Sequence, residues 1–111
     1  MIIGFENYTY DLTHQEEGCL DSVIDCLEFG DWISNREIAR YVRRHVDIEL
    51  PGPRIRMIIH HLRICVNFPD KKIIAGSRGY LLTSDQKLIE TYVQSLNERI
   101  SSIESVRNSM K

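Results

Sequence analysis

Long apolar runs and paired-cysteine motifs are both missing from this chain of 111 residues. No stretch approaches the roughly 20 consecutive apolar residues that a bilayer-crossing helix needs, so no membrane partner is expected. Met1-Ile2-Ile3-Gly4 has no basic segment leading into an apolar core of the secretory kind, and a cytoplasmic location is expected. The three cysteines, Cys19, Cys26 and Cys65, form no CxxC pair, and their odd number argues against a secreted disulfide framework. All three are expected to be buried thiols. Cys19 and Cys26 stand seven apart, about 10 Å along a helix, which is too far for one metal ion to bridge.

Catalytic constellations are lacking too. His60 and His61 are adjacent, so on a helix they diverge by about 100° and cannot chelate as an i, i+4 pair. Gly76-Ser77-Arg78-Gly79 has neither the lysine nor the spacing of a phosphate-binding loop, and Ser77 has no GxSxG context. His14 and His45 sit in polar stretches and read as surface side chains. Neither an enzyme nor a cofactor or metal site is expected.

Positive charge is absent from one region and abundant in the next. From Met1 to Asp31 there are eight acids and no lysine or arginine; from Trp32 to Tyr80 there are ten bases against four acids; the remainder is balanced. The overall charge of -2 therefore hides a segregation that can orient a protein on a polyanion, acid side away. With 42% hydrophobic and 27% charged residues the composition is that of a globular domain. At this length it can bury about two thirds of its unfolded surface unaided.

Residues 1–12 read as an N-terminal arm holding Phe5, Tyr8 and Tyr10, whose rings could pack on the body or stack on bases. Thr13-His14-Gln15-Glu16 is a capping box opening a first helix, with Leu20, Val23, Ile24 and Leu27 on its apolar face and Gly30 at its left-handed end. Trp32-Ile33 suits a short edge strand. Ser34-Asn35-Arg36-Glu37 is a second capping box, and Ile33 with Ile38 makes a hydrophobic staple. In the helix that follows, Ile38, Val42 and Tyr41 are expected to face the core. Arg36, Arg40, Arg43 and Arg44 lie outside, where they could grip phosphate or pair with the acids of the first helix.

Pro51 stops any continuation of that second helix, and Pro53 suits the first position of a third. Ile55, Ile58, Ile59, Leu62 and Val66 recur at helical spacing and form a buried seam. Arg56, His60 and Arg63 share one flank of the seam; Arg54 and His61 share the other. Such a helix, cationic where it is not buried, suits a nucleic-acid groove, with arginine on phosphate or on a guanine edge. Lys71-Ala75 and Tyr80-Leu82 then read as a β-hairpin around Gly76-Ser77-Arg78-Gly79, with both glycines supplying positive φ, Arg78 at the tip and Lys71 and Lys72 at the base.

The order of helix, short strand, Ser-Asn-Arg-Glu-Ile-Ala-capped helix, Pro-Arg-Ile-Arg-Met-Ile-Ile helix and Gly-Ser-Arg-Gly-Tyr hairpin resembles the winged-helix superfamily. More narrowly, the Arg-Gly-Tyr wing leading into a long amphipathic helix is similar to small winged-helix proteins encoded by phages and prophages. The resemblance implies a mainly α fold with a small β-hairpin, a winged helix-turn-helix over residues 13–83, with residues 54–65 as recognition helix and 71–82 as wing. It implies double-stranded DNA as partner for a small regulator or a replication or packaging accessory. The acidic first third departs from the basic surface of a strong DNA binder. An adaptor that docks on another protein through that acidic face or the last helix is therefore the alternative.

Residues 84–111 are expected to form one amphipathic helix. Ile89, Val93, Leu96, Ile100 and Ile103 step by four and three, a heptad seam that Val106 and Met110 continue after a stutter. That seam predicts either packing back on the first helix or a homodimer, the latter because so long a helix would overhang so small a body.

Overall fold

The structure is a computed structural model, and it describes residues 12–111. The expected aromatic arm, with Phe5, Tyr8 and Tyr10, lies outside the described residues. The described chain is mainly helical, with a two-stranded antiparallel hairpin and a long C-terminal helix: α1 (His14–Glu17), α2 (Leu20–Glu28), α3 (Asn35–Val46), α4 (Gly52–Cys65), β1 (Lys72–Gly76), β2 (Gly79–Thr83) and α5 (Gln86–Ser109).

The first helix is two pieces. Thr13 caps α1 reciprocally: its hydroxyl accepts from the Glu16 backbone N–H at 3.1 Å, and its own N–H donates to the Glu16 carboxylate at 2.8 Å. One turn later the regular helix is interrupted at Gly18 and Cys19, both still right-handed, and α2 begins at Leu20. Gly18 is a poor helix former, so little is lost by interrupting the helix there. Val23, Cys26 and Leu27 are then fully buried on α2, and Gly30 closes it with φ of 86°.

Ser34 caps α3 with both bonds of its box, Glu37 N–H to Ser34 Oγ at 3.1 Å and Ser34 N–H to Glu37 Oε1 at 3.0 Å. Ile38 and Val42 are buried, and Ile33 packs on the same core as the expected staple. The helix stops well before Pro51. Asp47 turns left-handed at φ 55° and donates its N–H to the Arg43 carbonyl, a position that aspartate tolerates better than most residues. Pro51 is instead the N-cap of α4, which places Gly52 first and Pro53 second in that helix. The seam of α4 is as its spacing requires: Ile55, Ile58, Ile59 and Leu62 are buried and Val66 packs on the same cluster. Cys19 and Cys26 are core thiols as well, but Cys65 ends α4 on the exposed side.

The hairpin pairs Ile73 with Leu82 and Ile74 with Leu81, closing at Gly76 and Gly79 across the two-residue turn Ser77-Arg78. All four apolar residues are buried. Because neighbours in a strand point to opposite faces, the sheet is covered on both sides, Ile73 and Leu82 by the helical core and Ile74 and Leu81 on the reverse. Of the two glycines only Gly79 has positive φ, 113°. Its more demanding task is contact: Ile33 and Tyr80 exchange backbone hydrogen bonds of 2.9 and 2.8 Å, and a Cβ on Gly79 would fall 2.2 Å from the Ile33 carbonyl oxygen. The expected Trp32-Ile33 strand is thus a single bridge onto β2.

Asp85 caps α5, accepting from the Lys87 and Leu88 N–H groups. The helix does not fold back on the first helix; its early turns lie against β1. From Asn97 to the end every residue is exposed. Among the described residues no helix is long and apolar enough to cross a membrane.

Candidate nucleic-acid interface

The cations of Trp32 to Tyr80 divide into those tied into the fold and those facing solvent. Arg54 belongs to the first group. Its Nε and Nη2 grip both oxygens of the Glu16 carboxylate, and its Nη1 donates to Met57 Sδ at 2.8 Å. Glu16 is only 3% exposed. The bidentate guanidinium and the Thr13 N–H hold its carboxyl below the usual range of 4.5, against burial, which pushes the other way. Arg54 neutralises a buried acid, so its charge is already paired within the fold.

Arg63 is engaged as well. It donates to the Ile73 carbonyl from Nε at 3.3 Å and Nη2 at 3.2 Å, bonds the Tyr92 hydroxyl, and lies 5.1 Å from the centroid of the Tyr92 ring. One side chain thus ties α4 to β1 and to α5. His60 and His61 are half-buried, and Nδ1 of His61 is enclosed without a hydrogen-bond partner. Of the α4 residues in the expected set, Arg54 and Arg63 are thus engaged within the fold, and His60 and His61 are half-buried. Arg56 stays exposed on the helix, and Arg63 is exposed too although bonded to β1 and α5.

Tyr80 of β2, already bridged to Ile33, lines one hollow with Asn35 at the start of α3 and lies within the electrostatic reach of Arg56 and Arg63. Burial raises the Tyr80 phenol above its ordinary value, so it stays neutral and retains its O–H. That hollow, of about 300 Å³, opens between Ser34, Asn35 and residues 75–80, with Arg78 on its rim and the positive end of the α3 dipole at its edge. The Arg78 guanidinium sits 6.0 Å from the Trp32 ring centroid, which orients the hairpin tip.

Arg36, Arg40, Arg43 and Arg44 are all exposed on α3. Among the described residues none forms an ion pair with the acids of α1 or α2, and Arg43 pairs with Glu49 in the connector at 3.6 Å. Lys71 and Lys72 are exposed but line a different, apolar groove between α4, β1 and α5. Sequence reasoning missed Asn35, Tyr80 and Trp32. The signal available was position: each lies beside a residue whose role was local and readable, the Ser34 cap, Gly79 and Ile33.

Among the described residues no group of His, Cys, Asp and Glu side chains could hold a metal ion. No family model, no curated protein and no solved structure matches the chain. What this surface does is therefore read from its own side chains.

Proposed function

We propose that this chain is a winged-helix protein that binds double-stranded DNA, with α4 as recognition helix and the β1–β2 hairpin as wing. The observation that supports the reading is the Ile33–Tyr80 bridge, which sets the hairpin, with exposed Arg78 at its tip, beside the start of α3, while Arg56 stays exposed on α4. It supports the order helix, strand, helix, helix, wing, in which the cap of one helix, the exposed arginine of the next and the hairpin tip serve one ligand. In this arrangement Arg56 reads base or phosphate, Arg36 and Arg40 hold the backbone, and Arg78 reaches the neighbouring groove. By the resemblance of its sequence it is a small regulator or a replication or packaging accessory of the phage kind.

Four such cations imply that affinity falls about 100-fold between 50 and 200 mM salt. Fluorescence anisotropy on labelled duplexes over that range tests this. Arg56→Ala is expected to weaken binding by about 1 to 3 kcal/mol where it reads a base. Absence of any binding at the low end of the salt range would overturn the reading.

A second reading has its own observation. Phe29 is 65% exposed and meets Tyr41 edge-on at 5.7 Å, while Tyr41 stacks on His45 at 3.9 Å. This aromatic patch beside the acids of α2 suits a protein partner. Substituting Phe29→Ala while DNA binding is intact would then abolish a salt-resistant protein complex.

A further inference from the structure

The apolar stripe of α5 and the face that α5 lays on β1 are the same face. Ile89, Tyr92 and Leu96 are half-buried there. Further along the same line Ile100, Ile103 and Met110 are 54%, 67% and 78% exposed. Beside β1 this face opens into an apolar groove of about 420 Å³ walled by Ile64, Phe68, Ile73, Ile74, Val93 and Leu96. Stripe and groove are continuous, because Val93 and Leu96 belong to both.

We infer that both are covered by a second copy of this chain, whose α5 runs antiparallel to the first over residues 93–110 and ends at the groove. Sterics set the direction. In a parallel pair the second helix, followed back from Leu96 to Gln86, would run through the space that β1 fills, since stripe and β1 lie on one side of α5. An antiparallel pair brings only the last turn of the second helix to that place.

Charge sets the register. Ile89, Leu96, Ile103 and Met110 alternate along the stripe with Val93, Ile100 and Arg107, and an antiparallel core matches one set with the other. In one register Val93 meets Met110 of the second copy, Leu96 meets Arg107, and Ile100 meets Ile103. Glu90 then flanks Lys111, and Arg99 flanks Val106. Shifting by one heptad would set Arg99 against Arg99 and Glu90 against Glu104, like charge on like. A parallel pair would join Arg99 to Glu104, but an exposed ion pair is too weak to offset the displacement of β1. Arg107 lays its stem on Leu96 and keeps its guanidinium in water. The overlap is roughly 27 Å long and buries on the order of 1,000 Å² in total, at the lower bound for a specific interface, so association is expected in the micromolar range.

Sedimentation equilibrium of the full chain from roughly 1 to 200 µM tests the stoichiometry. A monomer–dimer equilibrium is expected, with Ile100→Asp/Ile103→Asp monomeric throughout and unchanged in circular dichroism, since both positions are exposed. Orientation is read by disulfide trapping in a Cys65→Ser background, mixing a Val93→Cys chain with a Met110→Cys chain. The mixed disulfide is the expected product. A monomer at the highest concentration, or a Val93→Cys product joined only to itself, would overturn the inference. Either failure leaves the nucleic-acid reading untouched, because the interface uses none of its side chains.

Discussion

Arg54 and Arg56 stand two residues apart on one helix and do opposite things. Arg54 turns inward to a carboxylate from α1, and Arg56 lies in water near Tyr80. Arg63 and the hairpin-tip Arg78 repeat the contrast, one tied to Ile73 and Tyr92, the other lying near the face of Trp32. A cationic helix is thus no measure of a binding surface. What separates the two kinds is whether a partner reaches the side chain from elsewhere in the fold.

The contrast breaks most sharply at Arg54. Arg54→Ala strands the Glu16 carboxylate and is expected to cost about 2 to 4 kcal/mol in urea unfolding, allowing for the partial exposure of the arginine, while DNA affinity per folded molecule stays within about twofold. The same pair gives a pH signature. Because the Glu16 carboxyl is held below 4.5 in the folded chain, its contribution is fully present above that pH and is lost as pH falls through the folded value. A Glu16→Gln/Arg54→Met chain, compared by acid titration of stability, is expected to lack that step.

Arg56→Ala/Arg78→Ala is the converse test. Duplex affinity is expected to fall by about 2 to 4 kcal/mol, with stability changed by less than about 0.5 kcal/mol. Arg63→Ala is expected to cost about 1 kcal/mol and to speed amide exchange in the first turns of α5, leaving the salt dependence of binding alone. The smallest effect belongs to Arg36→Ala/Arg40→Ala, which should flatten the slope of log affinity against log salt by about 2 and leave unfolding unchanged.

Local features were legible in the sequence and distant ones were not. Ser34 with Glu37 and Thr13 with Glu16 announce their helices because both halves of each box lie within one turn. The seam of α4 follows from spacing alone. The second duty of Glu16 depends on a residue 38 positions away, and no periodicity reports it. Arg63 and Tyr92, 29 apart, are hidden for the same reason, so the sequence does not tell which cations of α4 are tied to the rest of the fold. The break at Gly18 and the left-handed Asp47 are local, yet each needed knowledge of which competing backbone geometry would win. The long helix was readable as a helix and as an overhang. Where it rests was not, because β1 presents its apolar residues to both faces and its pattern does not say which face receives a helix.

Gly79 gives the hairpin an uneven freedom to change. The turn residues Ser77 and Arg78 are exposed and carry no backbone duty in the core, whereas position 79 admits no side chain because the Ile33 carbonyl already occupies the site of its Cβ. Variation in such a chain can therefore rewrite what the tip touches while the strand that positions it stays fixed. A lineage could exchange Arg78 for a hydroxyl, an acid or an aromatic ring and alter its ligand in a single step, with the helical core indifferent to the change.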